Sequence, residues 1–523
     1  MIKTLLLFVA SLQVCATYKI LVYSPGLSNS HLMFNGRIAD LLIKAGHDVL
    51  IYKPELSALA NKNGSDIARM LVVDVGVKEK WAKTFEKYDD MIFKGSGMSL
   101  LDFLEFQKLT VETCNAQLKR KDIMDILRAE KFDLAISETM EFCSYGIFHH
   151  LNIPSNIVLS PGPLMDYMAD AFGFPAAASH VPNILAGFTD EMTYVERAKN
   201  LLASNALTYM GTYVASLTTK VFRNHFGNDF PEIYELLGRS PLVLVNSVEI
   251  LDFTRPVLHK LVYIGGIGMN KPKPITKKLT KIVESGKKGT VLFSMGSVVK
   301  LHNAPLEMKS AIIQALAKFE DYNFIVKTES SDKEMAELAS NVKNVFLESW
   351  VPQVDLLGHP NVKAFVTHGG QNSILETVYA GKPVLTIPCF GDQFRNAATV
   401  VRKGFGTRVP SMSALTVDSL TAALHDLLNN EKYEISARRL SSMLEKKPVK
   451  SEELVVKWTE FVAEFKQLPE LESYARQLNF LQLTSLDILA PFTLVLALAL
   501  FVLYKVLHAL TRFFFGSSKL KKE

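Results

Sequence analysis

The sequence predicts an α/β protein in which two doubly wound halves face one cleft and a single apolar helix follows them. Short apolar, β-branched runs alternate with helical patterns through both halves, as in strands laid parallel by helical crossovers. Around residues 362–379 a strand, a glycine turn and a helix follow one another directly. Polar side chains collect there at the carboxyl ends of neighbouring strands, where open α/β sheets bind ligands. From Ile488 to Tyr504 no charged residue occurs, and the chain continues apolar past Lys505 to Leu510, enough for one transmembrane helix. A chain of 523 residues exceeds what one core serves, so two domains with appendages follow from length.

Composition narrows the class. Hydrophobic residues make up 48% and charged residues 21%, and 58 basic against 53 acidic side chains leave a net charge of only +5. That balance gives no nucleic-acid footprint. The opening MIKTLLLFVASLQVCA combines a lysine, a short apolar run and small residues at Val14 and Ala16, the grammar of a secretory signal cleaved after Ala16.

The first half then reads as strand Tyr18 to Tyr23, loop Pro25 to Ser30, helix His31 to Lys44 ended by Gly46, and strand Val49 to Tyr52. No GxGxxG fingerprint follows the first strand, which disfavours a nicotinamide dinucleotide. Residues 80–127 are mainly helical; Phe132 to Ile136 is a strand, Glu141 to His150 a helix and Asn156 to Leu159 a strand. Between Gly162 and Pro231 the pattern is poor. Met165, Tyr167, Met168, Phe172 and Phe174 suit either an adaptable apolar surface or plain core. Pro272 and Pro274 among lysines mark a linker. The second half restarts with strand Thr290 to Phe293, the turn Ser294 to Ser297, helix Pro305 to Phe319 and strand Asn323 to Lys327, and the alternation runs to about Leu427.

The densest stretch is Trp350 to Asn396, WVPQVDLLGHPNVKAFVTHGGQNSILETVYAGKPVLTIPCFGDQFRN. Paired glycines let backbone approach a ligand, and the free N–H groups of the next helix, at its positive dipole end, seat a phosphate. His368, Asn372 and Ser373 add donors beside Gly370. Glu376, one turn on from Asn372, suits two ribose hydroxyls, Trp350 offers a flat face to a base, and Asp392 with Gln393 suits sugar hydroxyls.

This stretch closely resembles the signature of the UDP-glycosyltransferases, the family of the animal glucuronosyltransferases, and the likeness covers almost the whole chain. Trp, Pro-Gln, HGG, Asn-Ser, Glu, Gly-x-Pro, Pro and Asp-Gln in this order and spacing carry it. The resemblance implies the GT-B fold, with helices near the end crossing back over the first domain. It implies that Trp350 and Gln353 hold uracil and ribose, that His368, Asn372 and Ser373 hold the diphosphate, that Glu376 holds the ribose, and that Asp392 and Gln393 hold the donor sugar. Ser294 and Ser297 are further phosphate donors. Domains on this reading are a signal at 1–16, an acceptor domain at 17–270, a linker at 271–288, a UDP-sugar domain at 289–445, returning helices at 446–485, a transmembrane helix at 486–507 and a cytosolic tail at 508–523.

Transfer of a sugar to a hydroxyl needs a base. His31, where the loop after the first strand enters its helix, points to the carboxyl edge of the sheet, and Glu138, just past a strand of the same edge, is placed to orient it. The family has its catalytic histidine at His31 and, in many vertebrate members, an aspartate where Glu138 stands. His47, His149 and His150 lack such placement. No Asp-x-Asp pair for a divalent ion is present, so no metal is expected: the helix N-terminus with His368 carries the diphosphate charge. UDP-sugar is a co-substrate rather than a cofactor, a small lipophilic hydroxyl compound the acceptor, and attack from the far side inverts the anomeric centre. Glucuronate and glucose both remain open as the donor sugar, and a homo-oligomer is compatible with the reading. The alternative class is a nucleotide-sugar-binding membrane scaffold or partner subunit without catalysis.

Lys505, Arg512, Lys519, Lys521 and Lys522 all follow the apolar run, so the positive-inside rule puts the tail in the cytosol and the body in the lumen. The closing KLKKE resembles a dilysine signal for the endoplasmic reticulum. Cys15 leaves with the signal, and Cys114, Cys143 and Cys389 permit no disulfide assignment. Asn63-Gly64-Ser65 is an N-glycosylation acceptor.

Overall fold

Strand β1 (Lys19–Tyr23) turns its side chains alternately to two buried faces: Ile20 and Val22 enter one apolar cluster, Leu21 and Tyr23 another. Burial on both faces is what a parallel sheet covered by helices requires. The computed structural model describes residues 17–515 except 59, 95–99, 176 and 270. The expected signal at 1–16 and the lysines of KLKKE lie outside the described residues.

The first sheet contains β1, β2 (Asp48–Glu55), β3 (Arg69–Asp74), β4 (Leu134–Glu138), β5 (Asn156–Ser160), β6 (Leu242–Val245) and β7 (Leu261–Tyr263) in the order β3-β2-β1-β4-β5-β6-β7. Every pairing is parallel. The chain winds outward from β1 to β3 and then returns to β4, so the switch point lies between β1 and β4. Helix α1 (Asn29–Lys44) follows β1, α2 (Leu100–Leu118) precedes β4, and α3 (Cys143–His150) follows it. Glu138, expected beyond a strand ending at Ile136, is the last residue of β4 and fully buried. The helix expected from Glu141 starts at Cys143, because the Glu141 carboxylate accepts the Cys143 N–H at 2.8 Å and so stays outside the helix. Cys114 of α2 and Cys143 of α3 form a disulfide, and Cys389 is free and buried.

Within the poorly patterned Gly162 to Pro231 stretch lies α4 (Tyr194–Phe226), 33 residues long. Its start is written in a capping box, with Thr193 and Glu196 each bonded to the other's backbone N–H. Its many Ala, Ser and Thr residues blur the apolar period, which is why periodicity misses it. Met165 stays only partly buried, and Tyr167, Met168, Phe172 and Phe174 are buried in the first core, so four of these five side chains are packing rather than surface.

The second sheet contains β8 (Gly289–Ser294), β9 (Tyr322–Lys327), β10 (Val345–Glu348), β11 (Val362–Thr367), β12 (Val384–Thr386) and β13 (Gly406–Arg408), in the order β10-β9-β8-β11-β12-β13. Its switch point lies between β8 and β11. Helix α5 (Gln371–Tyr379) follows β11 and α6 (Gln393–Lys403) follows β12. Residues 271–288, expected as linker, include a helix Lys277–Ser285 whose Leu279, Ile282 and Val283 belong to the second half's core.

After the second half, α7 (Ser451–Phe465) places Val455, Val462 and Ala463 in the first sheet's core with Phe34, Ile38 and Leu42 of α1. From Ser473 the chain forms a separate compact unit. Its main element, α8 (Leu486–Phe515), has 30 residues, and its most apolar window has a mean hydropathy of 2.5. At 1.5 Å per residue it is about 45 Å long, more than the ~30 Å of bilayer hydrocarbon.

Candidate active site

Both switch points carry the site. At the first, β1 ends at Tyr23 beside β4, and the loop from Ser24 delivers His31 in the first turn of α1. His31 Nδ1 lies 2.6 Å from Glu138 Oε2. The Glu138 carboxylate has no exposure, and its Oε1 is buried without a partner. Burial alone lowers the His31 imidazole, but the charge and hydrogen bond of Glu138, with Asp392 of the second half, outweigh it and hold it above the ordinary histidine value. Asp392 is itself raised by burial, against the pull of Asn396, whose Nδ2 donates to its Oδ2 at 2.8 Å, and of His31. So the sequence-predicted dyad is formed, and a carboxylate of the other half faces it.

At the second switch point, His368 leaves β11 next to the loop leaving β8. Gly296 has φ of +81°, and a Cβ there would fall 2.6 Å from His368 Cε1; one on Gly370 would fall 2.6 Å from Nε2. Only glycine permits this approach of two turns to one ring. Burial and the Lys327 charge push the His368 imidazole down to about 4, and Thr367 Oγ1 sits 3.2 Å from its Nδ1. His368 is therefore a neutral hydrogen-bonding group in this site, and any part it takes in holding a diphosphate is as a neutral donor beside the N-terminus of α5. Gly370 caps α5, whose first residues bring Asn372 and Ser373 to the same edge.

Gln353 Nε2 donates to Glu376 Oε2 at 2.7 Å and reaches Ser373 Oγ at 3.3 Å, uniting three predicted residues. Burial raises Glu376, opposed by Gln353 and by Arg37 of α1. Asn372 Oδ1 accepts from Asn246 Nδ2 at 3.1 Å, a bond from the loop after β6 across to α5. Trp350 is 64% exposed. Gln393 is buried, and its Oε1 accepts the N–H groups of Cys389 and Phe390. It thus holds the loop that carries Asp392 and keeps only Nε2 for a sugar. Ser294 Oγ is buried and turned to the Gly296 N–H, whereas Ser297 is exposed.

Three cations escaped the sequence reading. Lys327 ends β9, its ammonium donating to Gly296 O at 2.9 Å and lying 5.3 Å from the Trp350 ring centre. Lys62, from the loop after β2, lies 5.0 Å from that centre. Arg395 of α6 makes a buried ion pair with Asp252 at 2.6 Å and also donates to Pro182 O, tying the halves beside the cleft. Lys327 was findable as a polar residue at a strand's carboxyl end; nothing local marks Lys62 or Arg395.

Among the described residues no cluster of three or more His, Cys, Asp or Glu side chains has the arrangement of a metal site. The arrangement provides a proton acceptor on one wall and a seat for an anion, a flat ring and sugar hydroxyls on the other.

Comparison with known proteins places the whole chain. A Caenorhabditis elegans protein provisionally named a UDP-glucuronosyltransferase is 33% identical over 502 residues, covering 93% of each chain. The Mus musculus UDP-glucuronosyltransferase 1A7 is 29% identical over 515 residues, with 95% of this chain and 93% of that one covered. In fold, the crystal structure of the glycotransferase of kitacinnamycin superposes with a TM-score of 0.56 at 18% identity, over 86% of this chain and 98% of that one. The sequence pattern described as UDP-glucoronosyl and UDP-glucosyl transferase matches residues 18–521, and with the two switch-point sites facing one cleft, the chain belongs to that glycosyltransferase family.

Proposed function

We propose that the chain moves glucuronate or glucose from its UDP carrier to the hydroxyl of a small lipophilic acceptor, with inversion at the anomeric carbon and without a metal. The observation that carries this reading is the 2.6 Å contact of His31 with Glu138, facing a glycine-lined anion seat. With Nδ1–H committed to Glu138, Nε2 is the nitrogen that takes the acceptor's proton. The acceptor oxygen attacks the anomeric carbon from the face opposite UDP. The bond from that carbon to the diphosphate oxygen breaks, its electron pair leaves with UDP, and Glu138 stabilises the imidazolium that forms. The N–H groups at the start of α5, His368 as a neutral donor and the ammonium of Lys327 receive the charge on the departing diphosphate. Trp350 takes the uracil, Gln353 and Glu376 the ribose, and Asp392 the donor sugar.

The same reading anchors the protein in the membrane of the endoplasmic reticulum by α8, as a single pass with the body in the lumen. The Cys114–Cys143 disulfide supports an oxidising compartment for the body. The test is UDP release from membranes that contain the protein, with UDP-glucuronate and UDP-glucose against a panel of lipophilic phenols and alcohols, with and without a chelator. Release that needs acceptor and survives the chelator is expected. No acceptor-dependent release from either donor overturns the reading in favour of a binding scaffold.

A further inference from the structure

We propose that Lys62 is the first half's contribution to the donor site: its ammonium rests on Trp350 when the site is empty and passes to the diphosphate when a nucleobase takes the indole. The inference rests on the reading of the cleft as a UDP-sugar site.

The backbone under Lys62 is built to hold it there. The Lys62 N–H donates to Asn29 Oδ1 at 3.0 Å, and Asn29 Nδ2 donates to Asn61 Oδ1 at 3.0 Å, fastening the loop to the start of the helix that carries His31. Lys53 Nζ donates to the carbonyls of Lys62 at 2.8 Å and Ala60 at 3.0 Å. Gly64, with φ of +89°, lies so close to α1 that a Cβ on it would fall 2.2 Å from Leu32 O. From this fixed base an exposed, flexible side chain spans from the first half to an indole of the second.

What it meets there is a second cation. Lys327 reaches the same ring, and the Lys62 charge is among the causes that lower it, after burial. Neither lysine makes a carboxylate ion pair among the described residues. Two like charges drawn to one exposed ring repel each other, and the ring holds each only weakly. A diphosphate relieves this directly, because an ammonium binds phosphate oxygens more strongly than an exposed aromatic face. The ring face, meanwhile, suits a base once the cation has left it. Lys327 is already next to the seat, through Gly296 and its contact with His368. Lys62 is the mobile member, and its move draws the His31 wall toward the donor.

Equilibrium binding of UDP and of uridine to the full chain in nanodiscs tests this, comparing wild type with Lys62→Met and Lys62→Arg. Lys62 is exposed, so equal thermal unfolding of the three proteins is expected. Lys62→Met should weaken UDP about 10-fold while uridine stays within about 2-fold of wild type, and Lys62→Arg should retain UDP. The loss of UDP affinity with added salt should also be shallower in Lys62→Met. Unchanged or tighter UDP binding in Lys62→Met overturns the proposal, since Lys62 then only shields the indole. Equal weakening of UDP and uridine overturns it as well, since the effect is then on the base and not the phosphates. If wild type binds neither UDP nor uridine, the donor-site reading fails and takes the Lys62 role with it.

Discussion

At the switch point of the first sheet the cleft meets an imidazole and a buried carboxylate in direct contact; at that of the second it meets a neutral imidazole between two glycine turns. The backbone plan is the same, a parallel sheet whose winding reverses, but the chemistry differs in kind. On the proposed mechanism His31 changes charge during the reaction and so needs a fixed counter-charge, which the buried Glu138 carboxylate would supply. A seat for a diphosphate meets an anion that arrives already charged. It works with backbone N–H groups, close approach and the ammonium of Lys327 at its rim, none of which has to change charge in the reaction. Sharing the labour in this way has a consequence: changes on one wall should alter proton transfer and leave UDP binding, and changes on the other should do the reverse.

The sharpest way to break that division is His31→Ala. Turnover should fall by roughly 10²–10⁴-fold, the usual contribution of general base catalysis, while UDP affinity measured by calorimetry stays close to wild type. Comparable losses in both would show that the walls do not divide the work.

Glu138→Gln is the next largest. It removes the charge that raises His31 and leaves the burial that lowers it. In wild type Glu138 holds the His31 imidazole above the ordinary histidine value of 6.5, so on the proposed mechanism the acid limb lies on the high side of that value. In the variant the acid limb of kcat/KM should move to lower pH, with a turnover loss of about 10-fold or more from the weakened orientation of the ring. An acid limb that stays in place would assign it to another group.

On the opposite wall, Gly296→Ala forces a Cβ against His368 at a positive φ. UDP should bind about 10-fold more weakly, in line with a cost of roughly 1–2 kcal/mol for the left-handed conformation, and the acid limb should not move. A shifted acid limb would couple the two walls.

The smallest effect sharpens the comparison from beneath the dyad. Glu141 is buried near Glu138 with Oε1 unpartnered and Oε2 accepting the Cys143 N–H, and burial pushes it up to about 7. A raised carboxyl favours the fold fully below its unfolded value near 4.5, and that contribution is lost as pH rises through 7. Glu141→Gln should therefore stabilise the protein at pH 8 by up to on the order of 3 kcal/mol, and little at pH 4, in thermal unfolding of the solubilised chain. Equal effects at both pH values would mean that Glu141 does not hold a proton in the fold.

Local sequence was enough for much of the second half. Between Val362 and Asn396 the strand, the glycines and the polar residues are nearly contiguous, so one short stretch displays most of the anion seat. The first half is written more sparsely. His31 and Glu138 are 107 residues apart, and without the family resemblance their pairing has no local mark. Strand β3 and helix α4 went unread because Arg69–Asp74 is mostly uncovered and α4 lacks a clean apolar period. The Cys114–Cys143 bridge was unreadable for another reason: three cysteines allow several pairings, and only the packing of α2 against the start of α3 selects one.

By itself the sequence determined the α/β class, the glycine turns and the apolar length of α8, and it named the candidate site residues, since each depends on residue type and spacing along a few turns of chain. Only the tertiary structure decided that His368 is neutral, that Gln393 faces inward, that Lys62 and Lys327 share one indole, and that Arg395 and Asp252 tie the halves. Those depend on burial and on charges brought together from distant segments, and the free energy of an ionised or hydrogen-bonded group is set by what surrounds it in space, which no neighbouring residue in the sequence records.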